Sequence, residues 1–330
     1  MLPSASRGRT DTGLSPKVSV VMAVYNGGRY LREAVDSILA QTFARFEFIV
    51  VDDGSTDNTP EILRSFDDRR LVVEDSETNL GLAQSLNRGV SRAQGEYIVR
   101  QDADDSSVPE RISRQVAYLD GHPNVGVVGA ATQWIDAQGD LLKVWPGGQD
   151  NCQIQQQLMT TCPLIHGSVT IRRHSFEEAG GYDASMRTGQ DYDLWLRLSE
   201  GWDLTCMPEV LYTYRYHQEM ASVRRSQEQA HNAEMGRARA LRRRVQYARL
   251  ALGPGRGRLP AHVARLSRRR LAQRYVWWSA GSRSISRVLA LRFLLLALLI
   301  DPSVPDAWSY LHGFLRRKAG LWIGRSSEAS

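Results

Sequence analysis

Lysine is nearly absent from this chain: only 3 of its 42 basic residues are Lys, and the other 39 are Arg. Such a bias can follow genome composition, so it lends little weight to any single arginine. Cysteine is scarce as well, with Cys152, Cys162 and Cys206 alone. Their spacing does not suit a metal site, and an odd count in 330 residues argues against a disulfide framework. A reducing compartment is expected. A long hydrophobic run is also missing. The most apolar stretch, FLLLALLI at 293–300, extends with 288–291 but is broken by Arg292. It falls short of the roughly 20 apolar residues needed to span a bilayer as a helix. Residues 1–16 are polar and rich in Gly and Ser, with no apolar core of a secretory signal. Neither a secreted disulfide scaffold nor a transmembrane helix is expected, and a cytoplasmic protein is.

What is present is an ordinary globular composition, 42% hydrophobic and 24% charged. The net charge of +6 hides a division. Residues 223–330 carry 22 basic and 5 acidic residues, whereas 1–222 carry 20 basic and 31 acidic. An acidic body with a basic tail suggests three parts: a leader over 1–16, a catalytic domain over 17–222 and a basic α-helical region over 223–330.

From residue 18 the pattern alternates between apolar runs and helical spacing. VSVVMAVY and FEFIVV lack polar alternation, as strands buried on both faces do. Between them, Leu31, Ala34, Val35, Ile38 and Leu39 recur at the period of an amphipathic helix. Further strands are predicted over 70–74, 96–100 and 125–128, with helices between. Strands separated by helices imply βαβ units and a parallel sheet. Ligands of such sheets sit at the carboxyl ends of the strands, and two Asp-rich segments fall there.

The first is Asp102-Ala103-Asp104-Asp105, after a strand and before a helix opened near Pro109. Two carboxylates two residues apart can share a hard divalent cation that keeps sites for phosphate oxygens. An acidic turn capping the next helix is the plainer alternative. The second is Asp52-Asp53-Gly54-Ser55. A carboxylate here can accept from a base imide or a ribose hydroxyl, and N-capping alone would not need two. In the third, GQDYDLWLRL, Asp191 stands at the start of a helix whose dipole favours the ionised form that a general base needs. His217, after the alternating YTYRY, suits a metal or a phosphate. Arg215, Arg224 and Arg225 suit a diphosphate clamp or plain solvation. His166 is a candidate acceptor contact, although a structural histidine is the commoner outcome.

In this order, VSVVMAVYNGGRYLREAVDSILAQTF, FEFIVVDDGSTDNT, NLGLAQSLNRG, GEYIVRQDADD with PERISRQ, IHGSVTIRR, GGYDASMRTGQDYDLWLRL and LYTYRYH resemble glycosyltransferase family 2 over residues 17–217. These are inverting, nucleotide-sugar-dependent enzymes of bacterial polysaccharide and cell-envelope synthesis. The resemblance implies the α/β GT-A fold, a Rossmann-like, mainly parallel sheet flanked by helices. It places Ala23, Val24 and Tyr25 along the nucleotide base, Asp53 on the base and Asp52 in support of that loop. Asp102-Ala103-Asp104 becomes the family's Asp-x-Asp element. Asp102 would contact ribose or metal, and Asp104 would hold Mn2+ or Mg2+ on the donor diphosphate with His217. Asp191 matches the catalytic carboxylate, which follows Glu in most members and follows Gln190 here. His166, Arg215 and Arg224 are left as acceptor or diphosphate contacts.

The implied reaction moves a sugar from a UDP- or dTDP-sugar to a hydroxyl of a glycan or polyprenyl-linked acceptor. A catalytically inactive sugar-nucleotide binder and a nucleotidyltransferase of related fold are the alternatives. The second would carry a longer, more basic glycine-rich loop than Asn26-Gly27-Gly28-Arg29. Nucleic-acid binding by the tail leaves the acidic clusters unexplained. For the tail, packed helices with peripheral contact to an anionic membrane, at the inner face of the plasma membrane, are expected over packed helices alone. Trp277-Trp278 and FLLLALLI are the apolar candidates for that contact, with Arg on the wet face.

Overall fold

The structure is a computed structural model that describes residues 15–254 and 258–314. Most of the leader expected over 1–16 and the end of the tail lie outside the described residues.

The apolar runs form β1 (Val18–Val24), β2 (Phe46–Asp52), β3 (Leu71–Asp75) and β4 (Tyr97–Arg100). These four pair in parallel in the order β3-β2-β1-β4. Register sets Val24 opposite Asp52, so the Asp52-Asp53 loop emerges beside the end of β1. Helices α1 (Leu31–Leu39), α2 (Thr59–Arg64), α3 (Leu82–Arg92) and α4 (Arg111–Gly121) connect and follow these strands. Of the predicted stripe of α1, Leu31, Ala34, Val35 and Ile38 are fully buried, in one core with Val20, Met22, Phe48 and Val50, and Leu39 packs against it only partly buried. Sealing such a side chain from water contributes roughly 1.5–3 kcal/mol.

The expectation of a mainly parallel sheet holds for this half only. Beyond β4 come β5 (Ser106–Ser107), β6 (Val125–Ile135), β7 (Leu141–Trp145), β8 (Thr170–Arg172) and β9 (Asp203–Arg215). The full order is β3-β2-β1-β4-β8-β6-β9-β5, with β7 on the flank of β6. The pairings β4–β8, β6–β8, β6–β7 and β5–β9 are antiparallel. The turn over 136–140 closes a hairpin, which only antiparallel strands allow. Gly139 takes φ +98° in that turn.

The remaining helices are α5 (Asn151–Gln157), α6 (Arg173–Glu178), α7 (Gln190–Leu198), α8 (Ala221–Arg224), α9 (Ser226–Leu252), α10 (Ala261–Ala264), α11 (Arg268–Ser282) and α12 (Arg287–Ile300). The chain divides into two compact units. One comprises Met1–Gly148, Leu164–Leu194 and Thr205–Ala233, and the other Gln149–Pro163, Trp195–Leu204 and Glu234–Ser330. The helical unit therefore takes 149–163 and 195–204 as well as the tail, which a single boundary near 222 does not anticipate.

Within the helical unit, Tyr247, Val263, Tyr275, Trp278, Phe293 and Leu294 share one core. Trp278 is not a membrane-facing side chain: it is buried and donates from Nε1 to Gln155 Oε1 at 2.8 Å. FLLLALLI is divided, with Phe293, Leu294, Ala297 and Ile300 buried and Leu295 and Leu299 exposed. Two tail arginines are buried rather than wet. Arg274 donates to Asp203 Oδ1 (3.0 Å) and Ser199 O (2.8 Å). Arg244 lies 4.0 Å from the Trp278 ring centroid and donates to Ser199 Oγ (3.2 Å). Among the described residues no helix is long and apolar enough to cross a membrane, and none of the three cysteines forms a disulfide.

Candidate active site

The turn after β1 and the loop after β2 are knitted together. Asn26 holds the left-handed φ of 51°, donates its N–H to Ser55 Oγ (2.9 Å) and accepts from Thr56 N (2.8 Å). Gly27 N donates to Thr59 Oγ1 and Gly28 N to Asp57 Oδ2, both at 3.0 Å. Asp52 Oδ1 accepts from Ser55 N (3.0 Å) within that loop. Asp53 is more heavily used than expected. Its carboxylate accepts from Leu80 N and Gly81 N at 2.8 Å each and from Ser85 Oγ at 2.7 Å. Asp53 therefore pins the turn that starts α3, and a base contact would come on top of these bonds. Ala23 and Val24 end β1 beside this loop, and Tyr25 beyond them is 50% exposed.

The second Asp cluster is held from below by buried arginines. Arg100, at the end of β4, pairs with Asp102 Oδ1. Arg111, the Arg of Pro109-Glu110-Arg111, is fully buried in the first turn of α4. It donates to Arg100 O (2.8 Å), Val169 O (3.1 Å), Gln101 Oε1 (3.1 Å) and Ser107 Oγ (2.8 Å). Burial lowers its guanidinium to about 10. The Tyr212 hydroxyl accepts from Asp102 N at 3.2 Å. Gly167, in the 3-10 turn His166–Ser168, has no room for a side chain, because a Cβ would strike the Tyr212 hydroxyl and press on Asp102.

Negative charge is in excess here. Burial holds the Asp102 carboxyl above the usual carboxylate range, with Arg100 opposing and Asp104 adding to the rise. Asp105 is raised well above that range by burial and then by Asp104 and Asp102. A cation at this place would relieve both. His217 Nε2 meets Asp104 Oδ2 at 2.9 Å, while His217 Nδ1 is buried with no hydrogen-bond partner. This oxygen and nitrogen pair suits Mn2+ or Mg2+ completed by donor oxygens. Asp102 is engaged by Arg100 instead. Among the described residues no group of three His, Cys, Asp or Glu side chains is gathered into a metal site.

Arg215 is not a loose clamp. Its N–H donates to Asp105 Oδ1 (2.7 Å), its Nε to Asp104 O (3.1 Å) and its Nη2 to Glu33 Oε2 (2.6 Å). Arg224 stands exposed, with Nη2 3.8 Å from Glu219 Oε1. His166 bonds the Tyr182 hydroxyl at 2.8 Å. Burial, with Arg100 nearby, pushes it well below the usual histidine range, so it is neutral. Asp191 stands in the first turn of α7. The helix start does lend it backbone N–H bonds, but burial outweighs them and the net displacement is upward. The helix start acts in the expected direction and is outweighed by burial. The charges of Asp102 and Arg100 reach Asp191, so these two candidate regions share one electrostatic site. Arg100, Arg111 and Tyr212 escaped the sequence reading. The Pro109-Glu110-Arg111 segment contained the signal, but nothing in it distinguishes a buried arginine from a wet one.

Comparison with known proteins follows this geometry. The model of Glycosyl transferase family 2 matches residues 19–180. The putative glycosyltransferase EpsE of Bacillus subtilis is 37% identical over 208 residues, 61% of this chain and 73% of that protein. An uncharacterized glycosyltransferase of Methanocaldococcus jannaschii is 32% identical over 206 residues, 61% of this chain and 71% of its own length. In structure, S. aureus TarS 1-349, solved in complex with UDP-GlcNAc, superposes with TM-score 0.59 at 18% identity, covering 87% of this chain and 84% of TarS 1-349. The mixed sheet with flanking helices is accordingly an α/β GT-A fold, and the chain belongs to glycosyltransferase family 2.

Proposed function

We propose that this protein transfers a sugar, with inversion, from a UDP- or dTDP-sugar to a hydroxyl of a glycan or lipid-linked acceptor in cell-envelope polysaccharide synthesis. The observation that carries this reading is Asp191, a carboxyl raised by burial and within electrostatic reach of Asp102. A raised carboxyl is a better proton acceptor, and an acceptor hydroxyl is a poor nucleophile until its proton is taken. Asp191 removes that proton as the oxygen attacks the anomeric carbon. Tyr25 and the Asp52-Asp53 loop receive the nucleoside. Asp104 and His217, with Asp102 beside them, would hold Mn2+ or Mg2+, whose chemistry is to neutralise charge on the departing diphosphate. Arg100 pairs with Asp102, and Arg111 braces Arg100 through its backbone carbonyl. TarS, solved with UDP-GlcNAc and with UDP, supports a nucleotide-sugar donor.

The test is release of nucleoside diphosphate from a panel of UDP- and dTDP-sugars, with Mn2+, with Mg2+ and in EDTA. Turnover of at least one donor, lost in EDTA, is expected. No turnover but tight UDP binding would favour the inactive binder. Pyrophosphate exchange would favour the nucleotidyltransferase.

The helical unit adds peripheral contact with an anionic membrane at the inner face of the plasma membrane. Val288, Leu295 and Leu299 are 69%, 45% and 62% exposed on α12, with Arg287 and Arg292 exposed on the same helix. A strongly basic region with an apolar stripe complements an acidic lipid surface. Leu295→Asp with Leu299→Asp is expected to abolish flotation with phosphatidylglycerol liposomes. Flotation equal to wild type would remove the membrane role.

A further inference from the structure

The β6–β7 hairpin presents apolar side chains to water for no reason that the fold supplies. All five residues of β7 are exposed, including Leu141 (63%) and Trp145 (37%). Exposed apolar patches of this kind mark binding surfaces. On one face the aromatics form a row. The Trp134 ring lies 4.5 Å from Tyr214 and 6.1 Å from Trp145, nearly parallel to the latter at 26°. Lys143 Nζ sits 4.0 Å from the Trp134 centroid and 5.6 Å from that of Trp145. Trp134 Nε1 is satisfied within the hairpin by Thr132 Oγ1 at 3.1 Å. The Trp134 ring is half-buried, with Lys143 over it and Tyr214 beside it, and Trp145 is the exposed end of the row.

The row is continuous with the donor end of the site. Tyr214 adjoins Arg215, whose N–H holds Asp105, and the charges of Asp105, Asp102 and Asp104 all reach the Tyr214 hydroxyl. The hairpin is tied to the same place. Tyr216 N donates to Ile135 O at 2.8 Å. Tyr30 donates to Ala137 O at 3.4 Å while its ring lies 5.3 Å from His217.

We propose that Trp134, Trp145 and Tyr214 form a stacking subsite for the pyranose rings of a glycan acceptor. The inference rests on the glycosyltransferase reading and names its acceptor class. A pyranose has an apolar C–H face and a rim of hydroxyls. Aromatic faces cover the first, their negative π-surface meeting the positively polarised C–H groups. Lys143 donates to a rim hydroxyl or carboxylate. A linear glycan laid along three rings leaves its end near Asp104 and Asp105, where the donor sugar would be delivered. An acceptor made only of acyclic polyol phosphate has no such face.

The test uses the full chain saturated with UDP and saturation-transfer NMR against cellotetraose, maltotetraose, chitotetraose and tetragalacturonate. At least one oligosaccharide is expected to bind, with transfer strongest at its ring C–H protons. Trp134→Ala and Trp145→Ala should each weaken that binding about ten-fold, the scale of one lost ring stack, while Trp145→Phe retains it. Leu142→Ser with Val144→Ser, on the other face of β7, should leave it unchanged. Failure of every oligosaccharide to bind UDP-loaded protein, or unchanged affinity in both tryptophan variants, overturns the proposal. So does a dimer in sedimentation that Trp145→Ala dissolves, because the row would then be a protein interface. UDP binding, read in the same samples, reports separately on the parent reading. If no UDP binds, that reading falls and the oligosaccharide arms still judge the aromatic row.

Discussion

The two units bury arginine to opposite ends. In the helical unit two carboxylates each take two cations. Arg274 and Arg270 meet Asp203, and Arg243 Nε holds both oxygens of Glu200 at 3.0 and 3.1 Å, with Arg244 Nε 4.0 Å from Glu200. In the sheet unit the balance is reversed: Arg100 and Arg111 face Asp102, Asp104 and Asp105. Burial raises the carboxyl in both places, at Glu200 as at Asp102 and Asp105, and in the sheet unit the neighbouring carboxylates add to the rise. The sign of the excess charge, rather than burial itself, separates the two places, and only the carboxylate-rich one calls for a cation.

The largest expected break in that comparison is Asp191→Asn. Losing a general base costs on the order of 10²–10⁴ in rate, so transfer should collapse while UDP affinity, measured by calorimetry, stays within about two-fold. Equal turnover would take the role from Asp191. On the other side, Arg274→Ala removes the buried cation of Asp203, which keeps Arg270 at 2.9 Å, and empties a buried volume. Stability should fall by about 1–3 kcal/mol, read from urea unfolding, with the UDP affinity of the surviving folded protein unchanged.

A smaller effect is the acid limb of the pH profile. Because burial raises Asp191, its proton is lost only above the ordinary carboxylate value of about 3.9. Transfer should therefore fall about ten-fold per pH unit below a break that lies above that value. A break at or below it would mean that the base is solvated. The mildest change is Asp105→Asn, which keeps an acceptor for Arg215 N–H but removes one of three crowded charges. Its melting temperature in EDTA should rise by a few degrees, whereas Glu200→Gln in the helical unit should lower it.

Much of the first half of the fold was legible because its physics is local. VSVVMAVY and FEFIVV are buried on both faces, and α1 shows its stripe at the right period. The antiparallel half was not legible. The local β6–β7 hairpin apart, its pairings join β4 to β8 and β6 to β8 across long sequence separations, and no short window contains both partners. The site divides in the same way. Asp52, Asp53, Asp102, Asp104, Asp191 and His217 stand out as residue types after strands or at helix starts. Arg111 and Arg274 look like surface residues among 39 arginines, and only packing shows that they are buried. The basic excess of the tail is likewise partly internal, because Glu200 and Asp203 join the helical unit from the acid-rich half of the sequence.

Gly167 carries this into a question of volume. It brings no charge, no donor of its own to the chemistry and no unusual backbone angle. Yet its missing methyl group is the clearance in which the Tyr212 hydroxyl and the Asp102 carboxylate lie. A single carbon added there would displace both groups at once, by collision with the Tyr212 hydroxyl and the Asp102 carboxylate. The donor end of the site is thus machined to a tolerance, and its most sensitive part is the one with no chemistry of its own.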